Sequence, residues 1–486
     1  MGDNFKKNML GAMTWSSVNI FGMQLVQLII GIILARILMP EDFGLIGILY
    51  VFFGLSTVLI DGGFGQGLIK KPNADNKDFS TVFFLNIFLS FVLYTILYFS
   101  APYIALFFSQ PDIVSLSRIA FLTVLIFPLY QTQQIQLLKN LNYKTLAKVN
   151  IISVSLSGIV ATILAATGYG VWALVYQQLL FHFFRFFFFT INIRWKPLLT
   201  FKFSTIRELS GFSLPLLGQF ILNVIFNQIY IVIIGRFYPI RQVGYFSQAN
   251  KYSETVNAAT QNILAMGTFP SFAKIQDDKE RLLRVYRTLI TSVSMITFPL
   301  VIFLIVAAEP IIITLISEKW LPSVVLLQLL LLANLFNPQY TINVNILNAR
   351  GTSKTTLRLE IIKKALILIS VLVCFHFGIK AMLIGFIVAN FLAYLLSMVA
   401  IKKSLNHYYR HQVADLIKTL AISLLTGGAT WFFNYISTAI ILKLAVQGIT
   451  FVLLYLIAIK IFFPKKLESI VREIKDSREN TEKRES

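Results

Sequence analysis

Fourteen long apolar runs divide this chain of 486 residues, at approximately 10–37, 43–61, 80–101, 116–138, 146–167, 171–191, 212–236, 244–266, 287–307, 322–346, 359–376, 380–401, 416–434 and 440–462. A run of about 20 apolar residues, wound as a helix, matches the roughly 30 Å of hydrocarbon in a bilayer. No water reaches that depth to take an unpaired N–H or C=O, so a single run crosses as an α-helix and not as an isolated strand. The expected fold class is therefore an all-α integral membrane protein with fourteen transmembrane helices. Composition agrees: 56% of the residues are hydrophobic and 13% charged, against about 25% charged in soluble domains.

The chain carries 43 Lys and Arg against 22 Asp and Glu, a formal charge of +21. A phosphate-tracking protein would gather such charge in one stripe. Here the basic residues fall in short clusters between the apolar runs, and with a cytoplasmic N-terminus nearly all of them face the cytoplasm. The other side holds only Arg36, Arg118, Arg236, Arg241, Lys319, Lys380 and Lys443. That asymmetry satisfies the positive-inside rule, so both termini are expected in the cytoplasm and no nucleic-acid partner is needed to explain the charge. The first run follows Lys6 and Lys7 without a small-residue cleavage site, so it is expected to stay as a first span. The single Cys374 excludes an internal disulfide.

The spans repeat. The turn after the first contains Arg36, Pro40 and Gly44, and the turn after the seventh contains Arg236, Ile240 and Gly244; the offset of 200 that relates them also carries Gly67 to Gly267 and Asp78 to Asp278. Six spans separate the copies, so the two halves share one orientation and are related by an axis along the membrane normal. The expected organisation is an N-terminal six-helix lobe at 1–205, a C-terminal six-helix lobe at 206–410, two accessory helices at 411–463 and a charged cytoplasmic tail at 464–486. Two such lobes would enclose a cavity and rock about it.

Leu34-Ala35-Arg36-Ile37-Leu38-Met39-Pro40-Glu41-Asp42-Phe43-Gly44 resembles a signature of the polysaccharide transporter family of the multidrug/oligosaccharidyl-lipid/polysaccharide exporter superfamily, the Wzx-type and teichuronic-acid-exporter-like flippases. Gly170-Val171-Trp172-Ala173-Leu174-Val175, Ile234-Gly235-Arg236-Phe237, Gly244-Tyr245-Phe246-Ser247, Phe269-Pro270-Ser271-Phe272 and Glu318-Lys319-Trp320 extend the likeness in order over about residues 10–400. The resemblance implies a bacterial plasma-membrane flippase for an oligosaccharide on a polyprenyl pyrophosphate, working beside glycosyltransferases and a polysaccharide polymerase. Relatives often carry an Asp-Asn pair where this chain has Tyr230 and Ile231, so no role for that acid carries over.

Ionisable side chains inside spans cost at least about 2.5 kcal/mol on insertion scales and are functional candidates by default. Lys251 lies about 10 Å down a helix from Gly244, with Glu254 at i+3, close enough to pair. Asn250, Glu254, Asn257 and Gln261 form one polar stripe, and Asn223 and Asn227 belong to another in span 7. Amides suit sugar hydroxyls, although interhelical hydrogen bonds would use the same residues. Arg36 and Arg236 at the outer ends of equivalent spans could meet a pyrophosphate or snorkel to headgroups. Arg185 in a phenylalanine run is a further ligand candidate. Asp61, before the glycines at 62, 63, 65 and 67, could pair with Lys70 or Lys71 or, with Glu254, serve coupling to a proton or sodium gradient.

Those glycines lack the ending of a phosphate loop. His407, His411 and Asp415 share a helical face, but the Tyr408-Tyr409-Arg410 beside them reads as a membrane interface rather than a metal site. No nucleophile stands at motif spacing from a base. The expectation is a transporter, not an enzyme, with no bound cofactor or metal. A cation-coupled multidrug exporter and a peptidoglycan-precursor flippase are the alternatives on the same scaffold.

Overall fold

The computed structural model describes residues 2–274, 278–405, 410–436 and 439–464. In chain order its helices are α1 (Gly2–Ile37), α2 (Pro40–Asp61), α3 (Phe64–Lys70), α4 (Asn76–Phe108), α5 (Ile113–Ala120), α6 (Leu122–Lys139), α7 (Tyr143–Ala166), α8 (Val171–Asn192), α9 (Phe203–Phe237), α10 (Ile240–Lys274), α11 (Lys279–Val306), α12 (Ala308–Ile316), α13 (Pro322–Ala333), α14 (Asn337–Ala349), α15 (Ser353–Cys374), α16 (Ile379–Leu405), α17 (Arg410–Trp431) and α18 (Ile440–Phe462). No strand occurs among the described residues. His407 and the charged tail from 465 onward lie outside them.

Twelve helical stretches among the described residues are long and apolar enough to cross a membrane. Ile113–Lys139 and Pro322–Ala349 each count as one stretch although each is broken in the middle, at Phe121 and at Asn334–Phe336. The two other expected spans, 244–266 and 359–376, are helical in α10 and α15 but fall short of the same apolar criterion. The first carries the Lys251-to-Gln261 polar stripe, and the second has Glu360, Lys363 and Lys364 in its first half, with Arg358 just before it. Side chains such as Phe88, Phe91, Phe99 and Leu106 of α4 are exposed on the protein surface, as lipid-facing residues should be.

Helix boundaries follow local chemistry. Proline stands in the first turn of α2 and α13, where its missing N–H costs nothing. Asp75 caps α4 by accepting from Asp78 N at 2.7 Å, and Asp78 returns the bond to Asp75 N at 3.1 Å. Asp278, the counterpart of Asp78, is itself the cap of α11, accepting from Arg281 N at 3.0 Å. Between α2 and α3 the chain reverses through Gly62 and Gly63, both left-handed at φ 55° and 75°, a conformation that disfavours any Cβ.

The chain packs as two units, Met1–Gln248 and Ala249–Ser486. Within the first, α1 lies on α7, α7 on α8, and α6 on α4 and α8, while α2, α3 and α4 all contact α9. Within the second, α11 lies on α17, α17 on α18, and α13, α14 and α15 on α16. Met295, Ile302, Ile422 and Phe451 form the core that holds α17 and α18 on α11, and Tyr455 donates to Met295 O at 2.7 Å.

Inside the first unit the repeated turns meet each other. A Cβ on Gly44 would overlap the carbonyl oxygen of Ile240, and one on Gly244 would overlap that of Pro40. Because Pro40 and Ile240 are themselves repeat-related, the contact is reciprocal, as at a local two-fold axis. Arg241 and its counterpart Glu41 add an ion pair at 3.4 Å, exposed and therefore weak.

Candidate functional site

Asp61 and Arg185, read separately from the sequence, line one open cavity of about 470 Å³ in the first unit, together with Gln66, Gln131, Gln134 and His182. The polar side chains come from α2, α3, α6 and α8, and Phe53, Phe127 and Phe220 supply aromatic wall. Two apolar clusters hold this wall in place. Phe64, Leu68, Phe79, Val82 and Ile135 seat α3 against α4 and α6, and Tyr130, Leu137, Leu146 and Phe189 join α6 to α7 and α8.

Asp61 pairs with neither Lys70 nor Lys71, contrary to the sequence expectation. The Gly62–Gly63 reversal folds α3 back so that Gly65 N donates to the Asp61 carboxylate at 3.3 Å, and Gln131 Nε2 donates to the same oxygen. Gln131 is held in turn by Asn86 at 3.2 Å. Lys70 instead lies 4.0 Å above the Phe212 ring. Lys71 binds Asp78 at 3.0 Å and Glu208 at 2.8 Å.

Among the described residues no carboxylate pairs with Arg185. Its Nη1 donates to Tyr130 Oη at 3.0 Å and its Nη2 to Gln134 Oε1 at 2.6 Å. The guanidinium lies 4.5 Å from the Tyr130 ring and 5.3 Å from that of Phe181. Tyr130, fully buried, is fixed by a 2.7 Å hydrogen bond with His182 Nδ1. The Arg185 Nε is buried and has no hydrogen-bond partner. Tyr130 and His182 were not among the sequence candidates. A histidine three residues before an arginine on one helix was the available signal, but nothing in spacing alone joins them to a tyrosine on α6.

In the second unit the polar stripe of α10 is partly used between helices. Asn337 donates to Asn257 Oδ1 at 3.1 Å, and Asn334 to Ser253 Oγ at 3.2 Å. Lys251 is exposed on α10, and among the described residues no ion pair joins it to Glu254. Glu254 is hydrogen-bonded to Asn257 and lies in the field of Lys363. Lys363 of α15, absent from the sequence candidates, sits 4.4 Å above the Tyr340 ring and 3.4 Å from Asn337 Oδ1, and Tyr340 donates to Glu360 at 2.8 Å. Lys363 and Glu360 were missed because they stand close enough to the start of the span to resemble loop charges.

The remaining candidates are dispersed. Asn250 and Gln261 are half-buried elsewhere on α10. Asn223 is half-buried and Asn227 exposed on α9. Arg36 is exposed at the end of α1. Arg236 donates to Phe107 O at the C-terminal end of α4 and packs over the Phe107 ring, a position where a cation also meets the negative end of the helix. Tyr230 and Ile231 are both buried.

At the C-terminal end of α3 and the N-terminal ends of α4 and α9 a second polar cluster closes the first unit. Lys202 pairs with Asp75 at 3.0 Å, and Thr205 donates to Asp78 at 2.6 Å. The Glu208 carboxylate, through its hydrogen bond, raises the Lys71 pKa above the usual lysine value. The Asp78 backbone N–H, seconded by Lys202, lowers that of Asp75 below the usual carboxylate value. The Lys71 contribution is complete below the ordinary lysine value and fades as pH rises through its raised pKa. That of Asp75 is complete above about pH 4 and fades as pH falls through its lowered one.

Comparison with known proteins places this architecture. Residues 33–325 match the family model described as "Polysaccharide biosynthesis protein". The chain is 24% identical over 476 residues to the teichuronic acid biosynthesis protein TuaB of Bacillus subtilis (strain 168), covering 96% of this chain and 98% of the relative. It is 24% identical over 436 residues to the lipopolysaccharide biosynthesis protein WzxC of Escherichia coli (strain K12), covering 87% and 86%. Among solved structures, a lipid II flippase MurJ in an inward closed conformation superposes with a TM-score of 0.76 at 17% identity, over 93% of this chain and 99% of that one. An inward-facing multidrug resistance MATE family transporter superposes at 0.60 with 16% identity, over 80% and 98%, and at such identities both likenesses speak for the fold alone. The match across more than half of its length shows that this chain, a multi-pass membrane protein, belongs to the polysaccharide biosynthesis protein family.

Proposed function

We propose that the protein is a flippase that carries an oligosaccharide on a polyprenyl pyrophosphate across the bacterial plasma membrane by alternating access, for assembly of a surface polysaccharide such as an O-antigen, capsule or exopolysaccharide. The observation that carries this reading is the polar cavity bounded by Asp61, Gln131, Gln134 and Arg185 inside otherwise apolar helices, in a chain of this family. Amides and carboxylates around a cavity can exchange their hydrogen bonds for those of sugar hydroxyls, whereas the surrounding apolar helices offer nothing to a polar headgroup. The names of the relatives, which concern teichuronic acid and lipopolysaccharide biosynthesis, point the same way. We assign fourteen spans, counting α10 and α15, with lobes at 1–205 and 206–410, accessory helices at 411–463 and both termini in the cytoplasm. Glycosyltransferases and a polymerase of the same pathway are the partners, and the protein itself performs no covalent chemistry.

In proteoliposomes the purified chain should move a labelled polyprenyl-linked glycan between leaflets with no ATP present, because a proton or sodium gradient supplies the energy, with Asp61 and Glu254 taking up the ion. Absence of flipping under both gradients would sink the reading, as would flipping that tracks ATP hydrolysis by this chain. In the same assay Lys251→Gln should slow flipping at normal membrane levels, since the exposed ammonium on α10 would meet the diphosphate. Flipping at the unaltered rate would remove that residue from the path.

Topology gives a separate check. Reporter fusions at positions 75, 142, 200, 278, 354, 406 and 475 should report from the cytoplasm, and those at 108, 240, 317 and 378 from outside. An external signal at 278 would leave α10 outside the span count and break the parallel repeat.

A further inference from the structure

Among the described residues no acid forms an ion pair with Arg185. Both of its protein hydrogen bonds go to neutral groups, Tyr130 Oη and Gln134 Oε1, its faces are covered by aromatic rings, and its Nε is buried with no partner. A guanidinium cannot escape this by losing its proton. Asp61, in the same cavity, is occupied by the Gln131 amide and the Gly65 N–H, and no ion pair joins it to Arg185 among the described residues. The cavity thus keeps a fixed positive group and a hydrogen-bonded carboxylate apart, with amides and phenylalanine rings between. An anion on the Arg185 side would match the guanidinium, and the rest of the wall is chemistry suited to a sugar. A carboxylate with spare lone pairs and the Gln66 amide accept from hydroxyls, and Phe53 and Phe127 can cover the C–H face of a ring. The volume of about 470 Å³ falls within the range of small-molecule pockets.

We infer that this cavity is a headgroup subsite for one sugar ring together with the anionic group attached to it, a carboxylate or a phosphate, with the anion on Arg185 and ring hydroxyls on Asp61 and Gln66. Tyr130 and His182 are positioning residues, holding the guanidinium so that its free N–H groups face the anion. The subsite deepens the flippase reading and rests on it: the substrate it selects carries negative charge at, or next to, a sugar.

The test uses the full chain in lipid nanodiscs, with Cys374→Ser removing the native thiol and Thr57→Cys placing a reporter on the half-buried cavity wall, at a residue with no assigned ligand contact. Maleimide labelling is timed with glucuronate, glucose 1-phosphate, glucose or inorganic phosphate present. At least one of the two anionic sugars should slow labelling about tenfold more than glucose does, the size expected of one charge-assisted contact. The stronger of the two identifies the anion as sugar carboxylate or linking phosphate. Adding Arg185→Gln should erase the advantage over glucose, and Arg185→Lys should keep part of it. Equal protection by glucose and both anions in the reporter chain that keeps Arg185 would overturn the inference without any Arg185 variant having to fold. So would an anion advantage that survives Arg185→Gln, or inorganic phosphate protecting as well as the stronger of the two anionic sugars. These outcomes, with glycan flipping by the unaltered chain intact, remove the subsite alone, whereas loss of that flipping removes the reading beneath it.

Discussion

Replacing Gly244 by valine is expected to remove most of the folded protein from the membrane and to lower the melting temperature of what remains by at least about 3 °C. The atom in the way of a new side chain is the carbonyl oxygen of Pro40, part of a helix start and unable to swing aside as a flexible side chain would. Overpacking costs about 1–3 kcal/mol when side chains can adjust, and a backbone obstacle puts this case at the top of that range. Gly44→Val should behave alike, because its obstacle is the carbonyl of Ile240 at the repeat-related position. Gly218 of α9 has open space around it, so Gly218→Ala should stay within about 0.5 kcal/mol of the native chain. Thermal unfolding in detergent, read by fluorescence-detected gel filtration, separates these outcomes. A Gly244→Val protein that accumulates and melts like the native one would mean the crossing is looser than the geometry implies.

Asp78→Ala should be the most damaging single change at the other end of the first unit, costing about 2–3 kcal/mol, while Glu208→Gln, only a few residues from it in space, should cost less than about 1 kcal/mol. Both carboxylates bind Lys71, so the difference lies in burial and in what else each one serves. The Asp78 side chain is 4% exposed and that of Glu208 is 59% exposed. Asp78 also accepts from the buried Thr205 hydroxyl and from the Asp75 N–H that its capping box satisfies. Its loss orphans both donors and leaves Lys71, 20% exposed, with a single exposed partner. Breaking a fully buried pair costs about 3–5 kcal/mol, and the residual exposure of Lys71 together with its second partner reduces that figure here. Equal melting temperatures for the two variants would show that solvent, not Asp78, holds this corner.

Most of the architecture was readable because hydrocarbon enforces a simple rule. A run of apolar residues long enough to cross must become a helix, so the positions of α1, α2, α4, α7, α8, α9, α11, α16, α17 and α18 follow from counting. α10 and α15 were readable as helices too, but their polar side chains make them poorer spans by composition than their places in the repeat suggested. The breaks at Phe121 and at Asn334–Phe336 were not visible, because an apolar run reads the same whether its helix is continuous or kinked.

Sequence alone determined the class of protein, the likeness of its two halves and the family, all of which depend on runs, offsets and short motifs along one dimension. It also picked out Asp61 and Arg185, since a charge among apolar neighbours announces itself by its solvation cost. What only the tertiary structure decided is who meets whom. Asp61 turns from the nearby lysines to an amide on α6, because two left-handed glycines reverse the chain between them. Arg185 stacks on a tyrosine 55 residues away and pairs with no acid among the described residues. Glu254 leaves Lys251 for Asn257. The repeated glycines of two distant turns meet carbonyl to Cα. Spacing along a helix says which side chains share a face, but not which helix that face will meet, and the pairing of charges inside this membrane protein is settled by that second choice.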